Sequence, residues 1–312
     1  MNTAHHDHPH AATPARSSAA GRERKLLMAF VLTTAMMIAE AFGGWWSGSL
    51  ALLADAGHML VDAVALLLAW GGAWLATRPA DARRSYGYGR MEVLAGFVNA
   101  LSQLLLVIWI VYEAVTRMLH PHAILPGVML GVASAGLLVN IVVLRMLHGH
   151  AHDDVNMAGA ALHVAGDLLG SLAAIVAALL IWRFGWLWAD PALSLLVALL
   201  ILASAWRLLR RSTHILLEGV PDGMDSAEIA GALREADASI ADIHHLHVWQ
   251  LASGLRMATL HATLCTDADT AATMRVIHVL LRERFDIQHV TVQVDAAGCP
   301  DIDDACAGAP PH

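Results

Sequence analysis

The sequence predicts a polytopic α-helical membrane protein of six spans that carries a C-terminal α/β domain of helix–strand–strand–helix–strand order. Three observations lead there. Of 312 residues, 57% are hydrophobic and only 15% charged, whereas an average soluble domain has about 25% charged residues. Six apolar stretches are long enough to cross a hydrocarbon core of about 30 Å, which takes about 20 helical residues. The charge is also uneven: from Glu218 onward there are fifteen Asp and Glu against five Arg, and before it fourteen basic residues against twelve acidic ones. An acidic soluble domain does not complement a polyanion, so nucleic acid is not an expected partner.

The spans fall near residues 26–46, 50–76, 92–118, 124–147, 155–183 and 187–209. The connections at 47–49 and 184–186 are very short, whereas 77–91 ("TRPADARRSYGYGRM") and 148–154 ("HGHAHDD") are polar. Arg22, Arg24, Lys25, Arg78, Arg83, Arg84, Arg90, Arg145, Arg207, Arg210 and Arg211 sit on one side of this layout, and only Arg117 and Arg183 on the other. By the positive-inside rule both termini face the cytoplasm. The N-terminal "MNTAHHDHPHAATPARSSAAGRERK" has no apolar core after its start and reads as a tail, not a cleaved leader. The single Lys against eighteen Arg hints at a GC-rich bacterial genome, hence an inner-membrane, multi-pass protein.

After Arg211 the pattern changes. "DSAEIAGALREA" is an amphipathic helix with Ile229 and Leu233 on one side. "IHHLHVWQLA" and "LRMATLHATL" are strands around the turn "SGL", "DTAATMRVIHVLLRERF" is a second helix, and "HVTVQVD" alternates like a strand. The expected division is a His-rich cytoplasmic tail at 1–24, a membrane domain at 25–211, a cytoplasmic domain of ferredoxin-like order at 212–296, and a Cys-containing tail at 297–312. Three cysteines, Cys265, Cys299 and Cys306, make no disulfide framework; a reducing cytosol or metal ligation is the simpler reading.

The chemistry lies inside the spans. "LLADAGHMLVDAVALLL" and "ALHVAGDLLGS" each hold a His-x-x-x-Asp pair: His58 with Asp62, and His163 with Asp167. Residues four apart share a helix face, so each span presents an imidazole and a carboxylate together. Two such faces can close on one ion with two nitrogens and two oxygens, a tetrahedral set suited to Zn²⁺, with Cd²⁺ or Co²⁺ as competitors. An ionisable group at membrane depth costs a few kcal/mol or more and faces a cavity or a partner. One such pair is as readily a packing contact as a ligand set; two matched pairs favour an ion pathway. Asp55 sits on much the same face as His58, at the mouth of the site or as a helix cap. Glu40, Asn99, Gln103 and Asn140 line the pathway or bond across helices as packing groups, the latter being the expectation for Gln103 and Asn140.

The blocks "SLALLADAGHMLVDA", "YGYGRMEVLAGFVNA", "NMAGAALHVAGDLLGS", "DPALSLLVALLI", "LLEGVP" and "HHLHVWQLASG" make the chain resemble the cation diffusion facilitators, zinc-transporter branch, from about residue 25 to 295. The resemblance implies a homodimer that exports divalent metal in exchange for protons, with its transport site on His58, Asp62, His163 and Asp167. It also implies metal in the cytoplasmic domain, on His244, His261 and Asp295, with His289 as a further candidate. Gln293 stands where some relatives have histidine; the chain resembles instead those members that finish the site with cysteines, here Cys299 and Cys306, plus N-terminal histidines. The loop at 77–91 has no histidine and one acid, Asp81, so no metal site is expected there. "HHDHPH" and "HGHAHDD" either gather zinc weakly or are solvated tails.

The ions expected are Zn²⁺ as cargo and regulator, with Cd²⁺ or Co²⁺ as alternatives; the partners are a second copy of the chain, protons and membrane lipid. No organic cofactor is expected. An enzyme is disfavoured because no H-E-x-x-H supplies a general base, and G-x-x-x-x-G-K-[ST] is absent, which disfavours ATP-driven pumping. The competing reading is a membrane metal sensor or store without transport.

Overall fold

The computed structural model describes residues 15–148, 155–252, 254–266 and 268–295, and for residues 15–26, 147–148 and 155–165 the backbone alone. Six long helices come first: α1 (Ala15–Ser47), α2 (Leu50–Ala76), α3 (Arg90–Leu119), α4 (Pro126–His148), α5 (Val155–Phe184) and α6 (Ala189–Leu216). All six are long and apolar enough to cross a membrane. The cytoplasmic-type domain follows as α7 (Ser226–Ala236), β1 (Ile240–Ala252), β2 (Leu255–Leu264), α8 (Thr270–Phe285) and β3 (His289–Asp295).

Two helices run past their expected ends. α1 begins at Ala15, inside the segment expected as a tail, where "ARSSAAGRERK" supplies alanine, arginine and glutamate, all good helix formers. α6 continues to Leu216 instead of stopping near 209: Ser212 is buried, with its Oγ 3.3 Å from where a Gly96 side chain would begin, so tertiary packing carries the helix beyond its apolar run.

The chain forms two compact units. The first holds residues 1–62 and 103–202. In it α4 packs against both α1 and α5. Ala133, Ala174, Ala177 and Ala178 are fully buried with Leu52 and Met129, small residues that let helix backbones approach closely. Ala54, Val107, Ile110, Ala198 and Ile201 knit α2, α3 and α6 together. Large apolar side chains such as Phe42, Trp45, Leu105, Ile108, Leu138 and Leu199 point outward, as lipid-facing residues do.

The start of α2 is pinned within this unit. Gly48 takes a left-handed turn (φ 73°) between α1 and α2. The buried Asp190, in the first turn of α6, accepts from Ser49 Oγ at 2.7 Å, the Leu50 N–H at 2.6 Å and the Ala51 N–H at 3.1 Å. It therefore caps a helix from another span, satisfying N–H groups that lipid could not. Arg117 Nη1 donates to the Gly48 carbonyl while its Nε holds Glu113 at 2.8 Å.

The second unit holds residues 63–102 and 203–312. Its sheet has the order β1-β2-β3, with β1 antiparallel to β2 and β2 parallel to β3. Ile229 and Leu233 of α7 and Ile277 and Leu281 of α8 pack with Val248 and Leu260 of the strands. Asp225 and Asp269 cap α7 and α8 through their side chains. Within this unit Arg90 of α3 pairs with Glu218, just past α6.

Candidate functional site

On α2, His58 Nε2 lies 3.4 Å from Asp62 Oδ2, so the i, i+4 offset brings both side chains together. They are 19% and 16% exposed, accessible enough to receive an ion and screened enough to make charge costly. Gln103 of α3 donates its Nε2 to Asp62 Oδ1 at 2.9 Å, which leaves Oδ2 on the histidine side. Asp167 is 2% exposed in α5. His163 lies one turn before it on the same helix, and only its backbone is among the described features.

The role of Gln103 was not legible in the sequence, where an amide at membrane depth reads as packing. Its one available signal is its place in the apolar run of α3. Asn140 reaches Ser171 Oγ with its Nδ2 at 3.5 Å.

In the cytoplasmic domain the sheet register builds a second cluster. His244 of β1 stands opposite His261 of β2. Asp295 closes β3, two residues beyond Gln293, the register partner of His261. Asp295 Oδ2 lies 3.2 Å from His244 Nε2 and 3.3 Å from His261 Nδ1, and the carboxylate is almost fully buried. One ligand atom from each of these three residues lies within 4.8 Å of the others, and two imidazoles with a carboxylate fit a zinc-type ion. Asp242 Oδ2 sits 3.4 Å from the other ring nitrogen of His244, and such outer carboxylates orient a ligating imidazole. Gln293 Nε2 donates to Asp295 Oδ1 at 3.2 Å, so this residue steadies the carboxylate.

The local backbone explains the convergence. β1 breaks register between His244 and His247, and His245 takes φ 50°, a left-handed conformation that a bulge accommodates. The bulge turns the His245 ring onto His261, stacked at 5.0 Å and 23°.

His289 is not brought to this cluster. It starts β3 opposite Met257 while Asp295 ends it opposite Thr263, a separation of about 20 Å at the rise of a strand. Its ring instead meets Tyr86 edge-on at 6.1 Å. Cys299 and Cys306 lie outside the described residues. Asp81, the one acid of the 77–91 loop, accepts from the Arg83 and Arg84 N–H groups and from Tyr88 Oη. These bonds, that of Arg83 foremost, hold its carboxyl below the usual carboxylate range.

Residues 26–217 match the family model described as the cation efflux transmembrane domain, and residues 221–297 that of the cation efflux protein, cytoplasmic domain. The chain belongs to the cation diffusion facilitator family. Within it the chain falls in the zinc-transporter branch, and it is a membrane transporter, not an enzyme. It is 46% identical over 277 residues to the zinc transporter ZitB of Yersinia pestis, covering 88% of each chain. It is 38% identical over 296 residues to the cadmium, cobalt and zinc/H⁺–K⁺ antiporter of Bacillus velezensis, covering 94% of this chain and 92% of that one. The solved metal-bound C-terminal domain of the CzcD transporter from Cuprividus metallidurans is 28% identical, covers 23% of this chain and all of that one, and gives a TM-score of 0.22.

Proposed function

We propose that this protein exports Zn²⁺, with Cd²⁺ or Co²⁺ as alternative cargo, from the cytoplasm in exchange for protons through His58, Asp62, His163 and Asp167. The observation that carries this reading is the His58–Asp62 pair, 3.4 Å apart on one face of α2, matched by the same spacing on α5 around the buried Asp167. A dication between two carboxylates makes a cage of no net charge, the form of an ion-binding site that a membrane tolerates best. Neutral imidazoles and ionised carboxylates are the binding forms, so metal entry releases protons and protons arriving from the far side release metal. Histidine titrates near pH 6.5, within the range such a gradient spans. The Bacillus velezensis relative, named as a metal/H⁺–K⁺ antiporter, supports the exchange.

In the same reading both termini are cytoplasmic, the protein works as a homodimer in the inner membrane, and His244, His261 and Asp295 hold a regulatory metal. The deciding experiment is Zn²⁺ flux into or out of liposomes under an imposed pH gradient, with Asp167→Ala alongside. Flux that follows the gradient and vanishes in the variant is expected. Zinc bound without any flux would mean a sensor or store. His58→Asn and His163→Asn are expected to blunt discrimination against Mn²⁺; unaltered zinc–manganese competition in both would remove the two histidines from the ligand set.

A further inference from the structure

A second polar group lies inside the first unit, one helical turn from the His-Asp residues. Glu40 of α1, Asp55 of α2, Asn140 of α4 and Ser171 of α5 are between 1% and 4% exposed. Two glycines make room for the carboxyls. A side chain on Gly136 of α4 would begin 2.5 Å from Glu40 Oε1 and 3.2 Å from Ser171 Oγ. One on Gly170 of α5 would begin 2.8 Å from Asp55 Oδ1. The carboxyls of α1 and α2 are thus seated in notches that α4 and α5 leave open. Oε2 of Glu40 and Oδ1 of Asn140 are buried with no hydrogen-bond partner among the described residues. Both carboxyls interact electrostatically with each other and with Asp167.

A buried carbonyl or carboxylate oxygen without a donor costs about 1–3 kcal/mol, and more if charged. Glu40 is one such carboxyl; with the buried Asp55 of a second helix beside it and a carboxamide oxygen also left open, the group is the arrangement a cation would satisfy. We infer that Glu40, Asp55, Asn140 and Ser171 form a second divalent-cation site within the membrane domain, built from oxygen donors alone. Two carboxylates balance the charge of a dication, and the amide and hydroxyl oxygens complete the set.

Oxygen donors without imidazole hold a zinc-type ion less tightly than the His-Asp quartet does. A pathway needs such a site, because an ion must be able to leave each station it enters. Asp55 precedes His58 by three residues on α2, and Ser171 follows Asp167 by four on α5. These helices run in opposite directions across the membrane, so both offsets point toward the same face, the one where α2 begins. The cluster is then a station on the exit side of the quartet. That assignment of side and cargo rests on the proposed transport direction; the existence of the oxygen site does not.

The test uses the purified full-length chain in detergent and Mn²⁺ alone, an oxygen-seeking probe. His58→Ala, His163→Ala, His244→Ala and His261→Ala together form the background, which removes the imidazole ligands. Free Mn²⁺ is counted by electron paramagnetic resonance, and the Mn²⁺-induced rise in melting temperature is read in parallel. One bound Mn²⁺ per chain is expected, weakened about tenfold or more by Glu40→Gln or Asp55→Asn. Those isosteres remove a buried charge without changing shape, so they keep the fold. Gly170→Ala, which retains every donor and fills the Asp55 notch, is expected to weaken Mn²⁺ similarly.

Mn²⁺ affinity and thermal shift unchanged by Glu40→Gln and Asp55→Asn overturn the proposal. So does binding that ignores Gly170→Ala and those two variants but is lost in Asp62→Asn, which places the ion in the quartet. Either result leaves the zinc-flux experiment intact. Absent flux with Mn²⁺ still held by Glu40 and Asp55 would refute transport and spare the site.

Discussion

Replacing Gln103 by leucine removes one hydrogen bond from Asp62 and changes little else. The two side chains are close in volume, and such swaps cost little in packing. The bond removed spans 2.9 Å from Nε2 to Asp62 Oδ1, and Gln103 is only 7% exposed, so water does not readily replace the donor. Hydrogen bonds to a charged group contribute about 1.5–3 kcal/mol, which is roughly 10- to 100-fold in a binding constant. Loss of a group that orients a metal ligand falls in the same range, about 10- to 100-fold. The assay is initial Zn²⁺ flux in proteoliposomes as a function of Zn²⁺ concentration. The half-saturating concentration is expected to rise by about 10- to 100-fold, with Gln103→Asn intermediate because its amide falls one methylene short. A leucine variant that saturates at the parental concentration would show that Gln103 is only a packing amide and that Asp62 is oriented by other means.

Asp190→Ala leaves two N–H groups and a hydroxyl at the start of α2 without their acceptor. At about 1–3 kcal/mol for each buried donor left unpaired, a clear fall in melting temperature in detergent is expected; an unchanged melt would discount the cap. Asp295→Asn removes the one oxygen that faces both His244 and His261. The zinc-induced thermal shift of the cytoplasmic domain should then need about tenfold more zinc, and an unaltered titration would place the metal elsewhere. Leu281→Ala, at a fully buried position between α8 and the sheet, should destabilise that domain by about 2–5 kcal/mol, read as faster proteolysis at a fixed urea concentration. Asp237 accepts from the Ser239 N–H at 2.8 Å, and that bond holds its carboxyl below the ordinary value. Its contribution to stability is therefore complete above a pH of about 4 and lost as pH falls through the lower folded value. Asp237→Ala should flatten that acid limb, and an identical acid transition would remove the bond from the account.

Much of the layout was legible because it depends on near neighbours. Hydrophobic runs specify span length, and the His-x-x-x-Asp spacing puts an imidazole and a carboxylate on one helix face. Alternation in "HVTVQVD" specified the last strand and hence that His289 and Asp295 sit at its opposite ends. At the rise of a strand those ends lie about 20 Å apart, so the two cannot share one ion; that Asp295 meets His244 and His261 followed only from the pairing of the strands. The bulge at His245, which seats His244 beside Asp295, likewise appears only in the register between strands.

Tertiary structure alone decided which polar groups at membrane depth face one another. Gln103 meets Asp62 across 41 residues, and Asp190 meets Ser49 across 141. Glu40 and Asp55 find room only because Gly136 and Gly170, on two other helices, lack side chains. Periodicity places a residue on a face of its own helix, since backbone geometry repeats locally. Which face meets which is set by the packing of helices distant in sequence, where a single absent Cβ determines whether a carboxylate is admitted. The polar residues at membrane depth were therefore readable one by one, and their assembly was not.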